Sequence, residues 1–517
     1  MGLLRYAMTG EVSTVRDIES RIVDTDRGKV RGVVEGEAIA FRGIPYAASP
    51  IGALRFAPPQ PHPGWTGVRE AAQAGPAVPQ AASRLEPVMG RRKPDWNEDG
   101  CLTVNVFAPR HALSDGTPRP VLVWWHGGGF TSGSGGWDWY DGTRLAALGD
   151  IVVVTANYRV GPLGYLYLPE IGAANLGPQD QGAVLRWVRD NIASFGGAPH
   201  AVTVGGQSGG AYSALCLAVD QEASTPTSMP MSTSGLVGKL LLQSGPFGLP
   251  PQDPEQAAEN AAAYLRLLGV PGGADSATTL RATPVEQLLS AYGRLSAQLA
   301  RPGKVAPPMY PVLGGPGVPR AWQAALADGA LTGKPLLIGT TRDEATAFCA
   351  FDPRIQNLTP AAALDILAAQ IGEQAATALY QRHAARLEQE LGQTGEQATP
   401  AQIFTAAQTD MLFRNGTLEI ADRHAADGNA TYLYQFDYQP PEDEYALGAT
   451  HCGELPFLFH TFSAYPDSPM LGTPRAAQRD LGRRFAGAVA EFVRTGSVRD
   501  WPPYAPTTTA ARVRHFA

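Results

Sequence analysis

The sequence predicts an α/β protein with a mostly parallel central sheet and helices on both faces. Three observations carry this. Continuous apolar runs at 102–107 (L-T-V-N-V-F), 120–125 (P-V-L-V-W-W) and 151–158 (I-V-V-V-T-A-N-Y) suit central strands covered on both sides. Segments of helical spacing alternate with such runs; in 181–195, Val184, Trp187, Val188 and Ile192 share one face. Strands alternating with helices build parallel sheets between helical layers.

Taken in order, residues 1–20 are polar and expected to be frayed. From Ile22 the text alternates and is broken by glycines, which predicts an antiparallel meander. A Pro/Gly-rich loop region spans 44–96, followed by the three apolar strands, the helix at 181–195 and a strand at 201–204. Another strand is expected at 239–245 (K-L-L-L-Q-S-G), then Ala/Leu-rich helical sequence over 253–330 and a strand at 334–339. Residues 358–426 read as mostly helical, 431–436 (T-Y-L-Y-Q-F) as a strand, and 474–495 as a long final helix. The reading is one domain over 21–517 with helical insertions around 250–330 and 355–426. The segment 222–235, rich in small residues, reads as an inserted loop.

Bulk composition narrows the function. Hydrophobic residues make up 44% and charged residues 17%, a globular balance that argues against global disorder. A net charge of −7 gives no electrostatic case for nucleic acid. The four cysteines (Cys101, Cys216, Cys349, Cys452) show no C-x-x-C or Cys/His spacing, so no metal is expected, nor is a disulfide scaffold. No apolar run approaches the roughly 18 residues of a membrane span. The N-terminus has no uninterrupted apolar leader core, and Tyr6 stands where a myristoylation motif needs Ser or Thr. The expectation is a cytoplasmic protein, monomer or homodimer, with no membrane or nucleic-acid partner; secretion is excluded only if no leader has been lost.

The chemistry centres on V-T-V-G-G-Q-S-G-G-A, 202–211. Gly206-Gln207-Ser208-Gly209-Gly210 fits G-x-S-x-G, with a strand-forming run before it and a helix-forming run after it. That context presents a serine on a sharp turn, its oxygen facing a helix N-terminus that favours negative charge. A serine hydroxyl is a weak nucleophile without a base. Nine histidines are available; His451, in G-A-T-H-C-G-E-L-P-F, follows the strand at 431–436, although local sequence alone would make it a surface-loop residue. A base needs an acid behind it, and G-T-T-R-D-E, 339–344, places Asp343 and Glu344 at a strand's end. The run W-W-H-G-G-G-F, 124–130, exposes consecutive backbone N–H groups after an apolar strand, as an oxyanion hole requires. A phosphate loop is the rival reading, but no G-K-[ST] follows.

Together with F-R-G-I-P-Y-A (41–47), L-R-F-A-P-P (54–59), N-Y-R-V-G-P-L-G-Y-L (157–166), N-I-A-S-F-G-G (191–197), L-Q-S-G (242–245), H-C-G-E-L-P-F (451–457) and W-P-P-Y (501–504), these motifs make nearly the whole chain resemble the type B carboxylesterases, the cholinesterase and para-nitrobenzyl esterase family. The resemblance implies an α/β-hydrolase fold. It implies Ser208 as nucleophile, Glu344 as acid rather than Asp343, and His451 as base, in the chain order Ser, acid, His. It implies Gly128, Gly129 and Gly209 as oxyanion donors, Ser244 as a partner of Glu344, and no cofactor. The sequence departs from the family at Gln207, where Glu is usual, and at Gly209, where Ala is usual. Residues 75–80 read G-P-A-V-P-Q where the family often has a cysteine, which leaves Cys101 without a disulfide mate. The 222–235 segment also lengthens the span from Ser208 to Q-S-G. Cys452 beside His451 reads as a small buried side chain.

The expected substrate is an uncharged carboxylic ester, cleaved through an acyl-enzyme. Phe130, Trp137, Trp139, Phe247 and Phe348 follow the motifs and are candidates to line the pocket. Rival readings are a specialised hydrolase of a xenobiotic or toxin ester, a carbamate or a polyester on the same site, and a catalytically dead scaffold of the same fold. A lipase would want an amphipathic lid, which the sequence does not offer.

Overall fold

A computed structural model describes residues 20–92, 95–220, 233–273, 276–391, 397–506 and 512–517. Residues 1–19 of the stretch expected to be frayed, and most of the 222–235 insertion, fall outside them, while Ser20 opens the first strand. Among the described residues the strands form one twelve-stranded sheet. They are β1 (Ser20–Thr25), β2 (Gly28–Glu35), β3 (Ala38–Pro45), β4 (Val68–Glu70), β5 (Thr103–Pro109), β6 (Arg119–Trp125), β7 (Val152–Ala156), β8 (Gly197–Gln207), β9 (Lys239–Gln243), β10 (Leu336–Thr341), β11 (Thr431–Phe436) and β12 (Val513–Phe516). Their order is β1-β2-β3-β5-β7-β6-β8-β9-β10-β11-β12, with β4 on β2. Pairing is antiparallel from β1 through β7 and parallel from β7 to β12. The N-terminal meander and the parallel centre both match the reading of the sequence; β4 and β12, three and four residues long, carry too little pattern to be read.

Alternation along β6 shows why the central strands are apolar throughout. Val121, Val123 and Trp125 pack into the core on one face, and Leu122 and Trp124 into the core on the other. The first core lies with helix α1 (Leu176–Asn191) and helix α2 (Gly209–Val219); the second lies beneath the C-terminal helix α3 (Ala476–Thr495). Helix α1 starts earlier than its apolar spacing suggests, because Pro178 is tolerated in a first turn, and it ends in a 3-10 turn, Ile192–Phe195.

The expected helical stretch 253–330 is only partly helical. Helices Pro254–Leu268, Ser276–Ala282, Val285–Leu299 and Trp322–Ala327 form, but 301–321, with its many prolines and glycines, is irregular. The later stretch holds Pro360–Ile371, Glu373–Leu391, Pro400–Thr409 and Asn415–Ala426, interrupted by a π-helical turn, Asp410–Arg414. Among the described residues no helix is long and apolar enough to cross a membrane.

Candidate active site

The glycines around Ser208 are there for space. Strand β8 ends at Gln207 and α2 begins at Gly209, so Ser208 alone turns the chain, with φ 58° and ψ −127°. A Cβ on Gly206 would lie 2.5 Å from the carbonyl carbon of Gly210, and one on Gly210 would lie 2.1 Å from the carbonyl oxygen of Trp125. No side chain fits either position. The turn is tied down by the Ser208 N–H, which donates to the Gln243 carbonyl at 2.9 Å. Ser208 is 6% exposed, so its hydroxyl is within reach of a small molecule.

Because β6 lies beside β8, with Trp125 opposite Gly206, the loop after β6 falls next to this turn. Gly128 takes φ 112°, and a Cβ there would lie 2.0 Å from the Ser132 carbonyl oxygen. Its own carbonyl accepts the N–H groups of Thr131 and Ser132 at 3.1 and 3.2 Å. The N–H groups of Gly128 and Gly129 donate to no backbone carbonyl among the described residues. That of Gly209 belongs to the first turn of a helix, where no intrahelical acceptor exists. His126, at the start of this loop, is stacked on Tyr158 with ring centroids 4.3 Å apart. Burial pushes its pKa down to about 4, which keeps the imidazole neutral.

The acid and the histidine arrive from the ends of the next strands. Glu344 follows β10, and His451 lies in the loop after β11. Asp343 joins the two loops. Its N–H donates to the Ala449 carbonyl at 2.9 Å, and its Oδ2 accepts the Ala449 N–H at 2.9 Å. This aligns Glu344 Oε2 with His451 Nδ1 at 2.5 Å, both side chains fully buried. The other carboxylate oxygen, Oε1, accepts the Thr341 N–H at 2.8 Å. Thus Glu344, not Asp343, meets the imidazole. The far nitrogen, His451 Nε2, receives the Gln207 side-chain amide at 3.2 Å. Ser208 is not hydrogen-bonded to it in this structure; such contacts commonly tighten only when substrate binds.

Ser244 is not a partner of Glu344. Its hydroxyl donates instead to Glu454 Oε1 at 3.1 Å, while the Glu344 oxygens accept from Thr341 and His451. Glu454 was not singled out from the sequence. It is fully buried and its Oε2 has no partner among the described residues. Burial, then the nearby Glu344 charge, push its pKa up to about 7. The signal was an acid inside the apolar stretch E-L-P-F-L-F, 454–459. Cys452 is buried, accepts the Gln207 amide at 3.3 Å, and has its thiol pKa raised by burial, which suits packing rather than nucleophilic chemistry. All four cysteines are buried free thiols.

Ser208, Gly128 and Gly129 open into one cavity lined by Phe130, Phe348 and Phe413. The rings of Phe348 and Phe413 lie 5.3 and 4.9 Å from the His451 ring. Trp137, Trp139 and Phe247 lie elsewhere. Trp137 donates to Asp95 and stands beside Arg92. Trp139 is stacked on Tyr465 in the core beneath α3. Phe247 is wedged between Tyr212 and Trp322 in the opposite core. Phe413 escapes sequence reading because the π-helical turn that presents it leaves no mark in the periodicity.

A sheet of this order, with a serine on the tight turn between a central strand and its helix, defines an α/β-hydrolase. The chain belongs to the carboxylesterase family, whose model matches residues 19–515. It is similar to phenmedipham hydrolase of Pseudarthrobacter oxydans, at 35% identity over 494 residues, covering 95% of this chain and 93% of that protein. It is also similar to para-nitrobenzyl esterase of Bacillus subtilis (strain 168), at 34% identity over 500 residues, covering 94% and 92%. The solved carboxylesterase EST55 of Geobacillus stearothermophilus superposes with a TM-score of 0.78 at 35% identity, covering 96% of both chains. The protein is therefore a carboxylic-ester hydrolase acting on small esters.

Proposed function

We propose that the protein hydrolyses esters through an acyl-enzyme on Ser208, with His451 as base and Glu344 as the acid that orients it. The observation that supports this best is the buried 2.5 Å contact of His451 with Glu344 beside a serine that lines an apolar cavity. The ester carbonyl oxygen binds at the N–H groups of Gly128, Gly129 and Gly209, each donor contributing about 3 kcal/mol to the developing oxyanion. Gln207 yields Nε2, and His451 takes the Ser208 proton as the hydroxyl attacks the carbonyl carbon. The tetrahedral intermediate collapses as His451 protonates the leaving alcohol. Water then attacks the acyl carbonyl as the same histidine takes its proton, and His451 returns that proton to the Ser208 oxygen as the second tetrahedral intermediate collapses and the acid leaves.

Glu344 stabilises the imidazolium and fixes the tautomer with the proton on Nδ1. The lining of Phe130, Phe348 and Phe413 favours an uncharged group where the ester itself sits. A specialised ester, carbamate or polyester substrate would use the same residues. A dead scaffold is disfavoured by the presence of the serine, histidine and acid together. The test is turnover of para-nitrophenyl acetate by Ser208→Ala, which should fall by about six decades; retained turnover overturns the proposal.

A further inference from the structure

We propose that the preferred ester carries a carboxylate on the part that projects from the cavity mouth, and that Arg84 is its partner. This rests on the reading of Ser208 as the nucleophile. Arg84 lines the same cavity as Ser208 and the glycine loop. Its Nη2 donates to the Val305 carbonyl at 2.6 Å, and its guanidinium carbon lies 5.5 Å from the Phe348 ring centroid. The same Nη2 would lie 3.3 Å from a Cβ on Gly129, so the cation is held against the loop that receives the carbonyl oxygen.

Arg84 is exposed and, like several other arginines, has no carboxylate partner; what distinguishes it is its place in the cavity of Ser208. Arg42 pairs with Glu35 and Asp141, Arg55 with Glu98, Arg119 with Asp115, and Arg159 with Asp180. Among the described residues no carboxylate pairs with Arg84 and none lines the cavity. A guanidinium has five N–H donors and is matched in shape to a carboxylate; one donor here is used on a carbonyl.

The surroundings extend the same sign of charge. Past Arg84, Val305 and Phe348 the cavity adjoins a second cleft that also holds Arg301 and Lys304. Neither has a carboxylate partner among the described residues; Arg301 donates to the carbonyls of Gln298 and Ala300. The acid of that cleft, Asp352, is occupied by Arg354 at 2.7 Å. In a chain of net charge −7 this is a local excess of positive charge at the entrance to an apolar site. Such a field draws in anionic esters and turns away cationic ones.

Two matched pairs of substrates test the proposal and locate the anion. On the acyl side, mono-para-nitrophenyl adipate is compared with para-nitrophenyl hexanoate. On the alcohol side, para-acetoxybenzoate is compared with its methyl ester. The readout is the ratio of kcat/KM for the charged over the neutral member. Arg84→Met should lower this ratio at least about tenfold in one pair, and Arg84→Lys should restore most of it. Raising salt from about 20 to about 500 mM should narrow the ratio for the unmodified protein. A ratio that Arg84→Met leaves within about twofold in both pairs overturns the proposal. If Arg84→Met does not fold, the exposed double variant Arg301→Glu/Lys304→Glu decides: the ratio falls several-fold or the proposal fails. Turnover of the neutral esters by Ser208→Ala would instead defeat the underlying reading, so the two failures are distinguishable.

Discussion

Alanine at the two glycines after Ser208 should give opposite results. A Cβ on Gly210 would lie 2.1 Å from the Trp125 carbonyl oxygen and 2.7 Å from that of His126. Both are backbone atoms at the end of β6, which is locked to β8 through Trp125 and Gly206. Neither can retreat without dragging the Gly128–Gly129 loop with it. Overpacking a yielding core costs about 1–3 kcal/mol, and here nothing yields, so the expected loss is at least about 3 kcal/mol. The three atoms nearest a Cβ on Gly209 all belong to the Phe130 ring, the nearest at 3.3 Å, and a side chain can give by a few tenths of an ångström. Alanine in the first turn of α2 also recovers about 0.5–1 kcal/mol of the backbone entropy that glycine loses. The net change should lie within about 1 kcal/mol of zero. Urea midpoints followed by tryptophan fluorescence, with para-nitrophenyl acetate turnover on the same samples, measure both variants. Gly209→Ala should remain stable and active, and Gly210→Ala should be strongly destabilised or insoluble. A stable, active Gly210→Ala, or equal losses in the two variants, would refute the steric account of the turn.

Glu454 should make stability fall with rising pH. Its folded pKa is raised to about 7, above an unfolded value of about 4.3, so the folded state keeps a proton that the unfolded state has lost between those values. Its contribution is fully present below the lower value, declines through the interval, and is gone above the higher one. The size is about 4 kcal/mol at most, and the pH slope of the urea midpoint between these values should flatten in Glu454→Gln. An unchanged slope would contradict the assignment. Gln207→Glu puts a carboxylate where an amide now sits 3.2 Å from His451 Nε2. It should stabilise the imidazolium and move the acid limb of the kcat/KM profile to higher pH; a limb that stays put or moves down would count against it. Asp343→Ala removes the side-chain acceptor that holds the Ala449 N–H, loosening the loop that carries His451. It should lower kcat several-fold or more while leaving KM nearly unchanged, and a pure KM effect would contradict that role.

Most of the scaffold was legible because it is written in continuous apolar strands. The runs at 120–125, 151–158 and 431–436 coincide with β6, β7 and β11 to within one or two residues. The turn at Ser208 was legible because the glycines record backbone contacts that no side chain could survive. The positions of Ser244, Trp137, Trp139 and Phe247 were not. Following a motif in the chain does not fix the direction of a side chain, and Ser244 donates to Glu454 rather than Glu344. Glu454, Arg84 and Phe413 were missed for a related reason. Each matters through what surrounds it in space: a neighbouring carboxylate, the cavity of Ser208, and a π-helical turn in a stretch read as regular helix.

The measurement closest to the central claim is the intact mass of the protein during turnover of an ester whose acyl group leaves slowly, followed by peptide mapping. The account predicts one acyl group per chain, on the peptide that contains Ser208, and none in His451→Ala on the same timescale. Turnover without an acylated chain, or an acyl group on another residue that forms and decays at the catalytic rate, would contradict it.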